Sequence, residues 1–95
     1  MGIIYKITCQ TTGLSYIGQT ILPMLERFQQ HLDGNGGARL LYDDILRYGV
    51  DDFRVEALVH CTDDQEDLDI NEIEMIRQHN TQTPAGYNIR KGGKR

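Results

Sequence analysis

Residues 3–9 (IIYKITC) are β-branched and aromatic, and their period-2 pattern puts Tyr5, Ile7 and Cys9 on one face of a predicted strand. Gln10-Thr11-Thr12-Gly13 is a turn signal, and residues 14–18 (LSYIG) make a second strand, so the chain opens on a hairpin. The period then changes. Pro23 suits the first turn of a helix, and 24–33 carries apolar residues at Met24, Leu25, Phe28 and Leu32. Asp33-Gly34-Asn35-Gly36-Gly37 breaks that pattern. A second helix is predicted over about 38–48, with Leu41, Ile45 and Tyr48 in phase and Gly49 just past its end. Residues 53–60 (FRVEALVH) alternate again and read as a third strand. Thr62-Asp63-Asp64-Gln65 has the spacing of a capping box and opens a long helix to about residue 79, its acidic first turn suiting the positive end of the helix dipole. After Thr83-Pro84-Ala85-Gly86 come a short extended piece, Tyr87-Asn88-Ile89, and a basic, glycine-rich tail over about 90–95. The predicted order is β-β-α-α-β-α, an α+β chain without internal repeats.

Ninety-five residues fit one domain spanning 1–95, with 39% hydrophobic and 25% charged residues, as in ordinary globular proteins. No apolar run approaches the ~20 residues needed to span a bilayer, and no signal-peptide pattern opens the chain. The expectation is a cytoplasmic protein that is neither secreted nor embedded in a membrane. Cys9 and Cys61 each sit in an apolar strand and read as buried free thiols of a reducing compartment; a disulfide would need those strands to be neighbours. Pairing Cys61 with His60 as metal ligands is disfavoured, because adjacent strand residues point to opposite faces.

The net charge of −4 argues by itself against a general nucleic-acid binder. The distribution changes that picture. Seven of the 14 acids fall between Asp63 and Glu74, while four of the 10 basic residues are Arg90, Lys91, Lys94 and Arg95. A basic surface away from the acidic helix therefore stays open.

Helical spacing singles out several polar residues. Arg27 and His31 lie one turn apart, beside the stripe of Phe28 and Leu32, so the pair should border the core. It reads either as a surface Arg with a partly buried His or as a phosphate clamp with a proton carrier. On the acidic helix, Glu72 shares its row with Leu68 and Ile76 and must sit in or beside an apolar seam, where a carboxylate is costly without a partner. Glu74 shares a row with Ile70 and Gln78 and lies three residues from Arg77, as exposed pairs do. Helical phase thus nominates Glu72, and a carboxylate at a core edge suits a hard cation that keeps most of its water, such as Mg²⁺. Tyr5 and Tyr16 fall one on each hairpin strand; they are either cross-strand core aromatics or phenols reaching one pocket.

Taken together these residues resemble the GIY-YIG nuclease domain. The first motif stands here as Ile3-Ile4-Tyr5 and the second as Tyr16-Ile17-Gly18, followed by Gln19-Thr20. The Arg27-x-x-x-His31 helix comes next, then Leu68-x-x-x-Glu72-x-x-x-Ile76 with Asn80-Thr81, which is similar to the family's catalytic-glutamate helix. Gly86-Tyr87-Asn88-Ile89 and Gly92-Gly93 resemble its closing motif. The likeness spans nearly the whole chain, in order. One departure is that Ile3 replaces the first motif's glycine, although Gly2 lies just before it. With Tyr5 retained, a small backbone adjustment is expected rather than loss of activity. A register starting at Gly2-Ile3 would put Ile4 at the tyrosine position and fits the spacing to Tyr16 less well.

The resemblance implies a small three-stranded antiparallel sheet flanked by helices, and a metal-dependent DNA endonuclease hydrolysing phosphodiester bonds. One Mg²⁺ (or Mn²⁺) ion would be anchored by Glu72. Tyr5 would be the general base or position the attacking water, with Arg27 and the metal helping to lower its ordinary pKa of ~10. Tyr16 and His31 would bond the phosphate or water network, His31 also as a proton relay, and Asn88 would orient the phosphate or support the site. Gly18 would permit close packing. Lys6, Arg39, Arg47, Arg90 and Lys91 are candidate DNA contacts. The closing elements look most like intron-encoded or phage-type members, which implies a bacterial, phage or viral setting and a tethered or separate DNA-recognition domain. The 95 residues hold no such region, so the chain is either a catalytic domain of something longer or a free-standing nuclease, monomeric or transiently dimeric. Two rival readings are a catalytically degenerate nucleic-acid-binding module and a repair- or restriction-type nuclease of the same family.

Overall fold

The computed structural model describes residues 1–93; Lys94 and Arg95 of the predicted basic tail lie outside the described residues. Its elements are β1 (Gly2–Cys9), β2 (Ser15–Thr20), α1 (Met24–Leu32), α2 (Arg39–Tyr48), a 3-10 turn (Val50–Asp52), β3 (Phe53–Cys61) and α3 (Gln65–His79). The predicted order holds, and the 3-10 turn is a piece that the periodicity did not reveal.

The three strands form one antiparallel sheet in the order β2-β1-β3, so the first strand is central. This explains why β1 buries the adjacent residues Ile4 and Tyr5, one on each face. Tyr5, Ile7 and Cys9 pack with Leu41 and Ile45 of α2 and with Phe53 and Tyr87, while Ile4 and Ile17 pack on the other face against Leu68 and Ile76 of α3. The sheet is the middle layer, with α1 and α2 on one side and α3 on the other. In β1–β3 the pairing steps from Ile4↔Val59 to Tyr5↔Ala57, a bulge beside the position where Ile3 stands in place of glycine. A bulge re-aims the side chains next to it, and here that side chain is Tyr5.

Four local expectations change. His31 is buried to 2% exposure while Phe28 and Leu32 are half-buried and Leu25 is 68% exposed, so α1 is rotated to point its histidine inward. Tyr48, in phase with Leu41 and Ile45, stays 37% exposed at the last turn of α2. The N-cap of α3 is Asp64, whose side chain accepts from the Asp67 N–H. The capping box predicted at Thr62 is therefore shifted: the Asp67 carboxylate accepts from the N–H and hydroxyl of Thr62, and Gln65 reaches across to Gln19 instead of back. Both cysteines are free as expected, the register setting Cys9 opposite Phe53 and Cys61 opposite Gly2 at opposite ends of the neighbouring strands, but only Cys9 is buried and Cys61 is half-buried.

Because β2 is an edge strand, its outer backbone groups need a partner. The segment after α3 supplies one. Tyr87 N–H donates to Ser15 O at 2.8 Å, and the Asn88 carboxamide pairs with Ile17, accepting from its N–H and donating to its carbonyl, both at 2.9 Å. Among the described residues no helix is long and apolar enough to cross a membrane.

Candidate functional site

The site forms around the β2 edge, where side chains from both sheet faces can meet. Tyr5 and Gly18 are register partners on β1 and β2. A Cβ at Gly18 would lie 2.4 Å from the Tyr5 hydroxyl, so the absent side chain is what lets the Tyr5 ring lie across β2. Tyr5, Tyr16 and His31 form a ring cluster, with centroids 6.4 Å apart for the two tyrosines and 5.2 Å for Tyr16 and His31. Residue 36 must also be small: a Cβ at Gly36 would fall 2.1 Å from His31 Nδ1.

A directed hydrogen-bond chain runs through this cluster. Arg27 Nε donates to the Tyr5 hydroxyl oxygen at 3.3 Å, and the Tyr5 hydroxyl lies 2.7 Å from His31 Nε2. A guanidinium only donates, so the Tyr5 oxygen accepts from Arg27, and in the tautomer that leaves Nε2 unprotonated a neutral His31 accepts the phenol proton. The electrostatics agree. Burial, and then the charge of Arg27, lower the His31 pKa to about 4. Tyr5 moves the other way: burial and the neighbouring Tyr16 raise its pKa and outweigh the lowering by Arg27. Arg27 by itself therefore does not leave Tyr5 easy to ionise, since desolvation of a phenolate costs more than one guanidinium returns. Arg27 itself is anchored, donating also to Gln30 Oε1 at 2.7 Å and to the Gly36 carbonyl at 2.9 Å.

The buried neutral histidine has a consequence for stability. Between pH 6.5 and about 4 the unfolded chain binds a proton at residue 31 that the folded chain refuses, so stability falls as pH drops through that window. The full shift corresponds to about 3 kcal/mol, and roughly 2 kcal/mol is already lost by pH 5. Urea unfolding at pH 7 and pH 5 should show this loss in the wild type and a smaller one in His31→Gln, which keeps an acceptor for Tyr5. Equal losses in the two proteins would show that His31 is not the group responsible.

From the other face, α3 brings Glu72, buried to 7% exposure between Leu68 and Ile76 as its helical phase predicts. Glu74 instead points outward, where Arg77 and Gln78 hold its carboxyl below the usual range. Glu72 Oε1 accepts from Gln19 Nε2 at 2.9 Å and from the Gly93 N–H at 2.7 Å. Burial and the charge of Glu72 raise the Tyr16 pKa, which keeps that phenol protonated beside the carboxylate.

Two clefts meet here. One, of about 350 Å³, is lined by Tyr5, Tyr16, Gln19, Arg27 and Glu72. The other, of about 400 Å³, is lined by Tyr16, Arg39, Glu72, Asn88 and Arg90. They share Tyr16, Glu72 and Gly93. Both lone pairs of the Asn88 amide oxygen are occupied, by Ile17 N–H and by the Thr81 hydroxyl at 2.8 Å, so this side chain clamps the segment after α3 to β2. Lys91 is exposed next to Arg90. Lys6 lies on the α3 face of β1, with its amine 3.3 Å from His79 Nδ1, and lines a separate depression with Arg54; Arg47 is exposed on α2 and lines neither cleft. Gly36 carried no signal in the local pattern, and Gln19, Thr81 and Gly93 stood in or beside the quoted motifs without a role assigned to them.

The GIY-YIG catalytic domain family matches residues 1–88. No curated protein matches the chain. Among solved structures, a mutant of the catalytic domain of the intron endonuclease I-TevI is similar with a TM-score of 0.79 and 19% identity, covering 97% of each chain. The catalytic domain of the homing endonuclease I-TevI is similar with a TM-score of 0.78 and 19% identity, covering 95% of this chain and 99% of that one. At such identity the likeness is one of fold: a three-stranded antiparallel sheet flanked by helices. The family match reaches across the hairpin, the Arg-His helix, the glutamate helix and Asn88, and on that span the chain belongs to the GIY-YIG catalytic domain family and is a nuclease domain.

Proposed function

We propose that the chain is a divalent-metal-dependent DNA endonuclease that hydrolyses phosphodiester bonds with water as nucleophile. The observation that carries this is the convergence of Tyr5, Tyr16, Arg27 and Glu72 on one cleft, with the Arg27–Tyr5–His31 chain poised beneath it. Among the described residues no group of three or more His, Cys, Asp or Glu could hold an ion, which does not suit a closed zinc site or a two-metal centre. A single buried carboxylate beside an open cleft does fit one Mg²⁺ or Mn²⁺ that keeps most of its waters. Glu72 would hold that ion, whose chemistry here is to neutralise charge developing on the phosphate.

The chain's own residues do the rest. Tyr5 takes a proton from the attacking water as its own proton passes to His31, so no free phenolate has to exist beforehand. Arg27, fixed at three points, presents a cation to the phosphate without having to reorganise. Tyr16 donates to a phosphate oxygen or to the water network. Asn88 supports the site by holding β2 rather than by grasping the phosphate with its oxygen. Arg39 and Arg90, with Lys91 beside them, give the second cleft a basic wall along which a DNA backbone would lie.

Selection of the site on DNA would come from a tethered or separate recognition region, and the domain would act as a monomer or transient dimer. Purified protein should nick supercoiled plasmid with Mg²⁺, stop with EDTA and resume when Mg²⁺ is added in excess. Arg39→Ala with Arg90→Ala should raise KM about tenfold or more, because two phosphate contacts are lost, and should flatten the salt dependence by about two counterions. Mg²⁺-independent binding with no cleavage would overturn the proposal in favour of a degenerate binding module.

A further inference from the structure

Gln19 sits at the end of β2 on the α3 face, half-buried. Its Nε2 donates to Asp69 Oδ1 and to Glu72 Oε1, both at 2.9 Å. Its Oε1 accepts from Gln65 Nε2 at 2.7 Å, and Gln65 donates to Asp69 Oδ1, also at 2.7 Å. Both hydrogens of the Gln19 amide are thus directed at carboxylates. Flipping the amide would press its oxygen against two anionic oxygens and its NH₂ against that of Gln65, so one orientation is selected. Asp69 and Glu72 lie three residues apart on α3, a spacing at which like charges repel. The Gln19 amide stands between them.

We infer that Gln19 is a positioning residue for the Glu72 carboxylate, with Asp69 and Gln65 fixing Gln19 in turn. The inference rests on Glu72 being the metal ligand. An ion held by one protein carboxylate takes its place from that carboxylate alone, so the groups that orient it set where the ion sits. Glu72 Oε1 is gripped from β2 by Gln19 and from the chain's end by the Gly93 N–H, 2.7 Å away. Gly93 lies beyond the residues that the family matches, and Gln19 is joined to α3 across 50 and 53 positions of sequence, which is why no local motif displays the arrangement. Outer partners of a metal ligand typically govern ~10–100-fold in metal affinity.

The test uses Mn²⁺ binding to the protein alone, followed by electron paramagnetic resonance, together with the Mg²⁺ concentration giving half-maximal plasmid nicking. Gln19→Met and Gln19→Ala remove both donors with and without the side chain's bulk, so loss of donation is separated from loss of packing. Each should weaken Mn²⁺ binding about tenfold or more and raise the half-maximal Mg²⁺ concentration by a similar factor, with excess Mg²⁺ restoring much of the rate. Adding Asp69→Asn to Gln19→Met should weaken binding little further, because Asp69 acts through Gln19. Unchanged metal binding and an unchanged Mg²⁺ requirement in both Gln19 variants, with binding lost in Glu72→Gln, would overturn the inference. Mn²⁺ binding that survives Glu72→Gln would instead overturn the assignment of Glu72 as ligand.

Discussion

Glu72→Gln should cut plasmid nicking by ~10³-fold or more, since a metal's electrostatic contribution of several kcal/mol translates into that factor. The substitution is nearly isosteric. The new amide oxygen can still accept from Gly93 and Gln19, so the fold should persist, with a melting temperature within roughly 10 °C of wild type. What disappears is the negative charge at the meeting point of the two clefts. Glu74→Ala is the matched control. Its carboxylate pairs with Arg77 on the exposed side of α3, and exposed pairs of this kind contribute ~0.2–1 kcal/mol. Nicking should therefore stay within about twofold of wild type. Loss of activity in Glu74→Ala together with full activity in Glu72→Gln would reverse the assignment.

That two carboxylates two residues apart can be told apart from sequence is a consequence of helix geometry. The 3.6-residue period places Glu72 in the row of Leu68 and Ile76, and the structure buries all three. The hairpin, the two middle helices and the third strand were legible for the same reason, because each carries its own period. Periodicity is weaker where polar residues point inward. On α1 the apolar count favoured Phe28 and Leu32, but His31 goes deepest, since its Nε2 has Tyr5 to bond and Gly36 leaves room for its ring. The cap of α3 was misplaced by two residues because Gln65 had a better partner across the site than behind it.

Contacts made far along the chain were illegible in principle. Nothing local to Tyr87-Asn88 says that they cover the open edge of β2, because that depends on β2 being an edge strand, and the sheet order is not written in either segment. The same holds for Gln19, and for the contact between Lys6 and His79, which joins positions 73 residues apart. The balance at Tyr5 was illegible for a different reason: the sequence displays the cation that lowers its pKa, whereas burial, the largest influence among the protein's own groups, appears only once the chain is folded.

Tyr5→Phe should lower kcat by ~10²–10⁴-fold, the usual worth of a positioned proton acceptor, while DNA affinity changes little. The pH profile should distinguish a relay from a free phenolate. A phenolate base would make the rate climb with pH toward the tyrosine range. In the relay, the Tyr5 hydroxyl stays protonated at neutral pH and His31 must be neutral to receive its proton. His31 titrates at about 4, so kcat/KM should be flat through pH 6 and fall as pH drops through about 4, where protonated His31 can no longer accept. His31→Gln sharpens the test: its amide oxygen accepts a hydrogen bond from Tyr5 but cannot take the proton. The geometry would survive, the rate would fall toward that of Tyr5→Phe, and the limb near pH 4 would vanish. A wild-type rate in Tyr5→Phe, or an acid limb near pH 6.5 that persists in His31→Gln, would leave the hydrogen-bond chain through Tyr5 as scaffolding rather than chemistry.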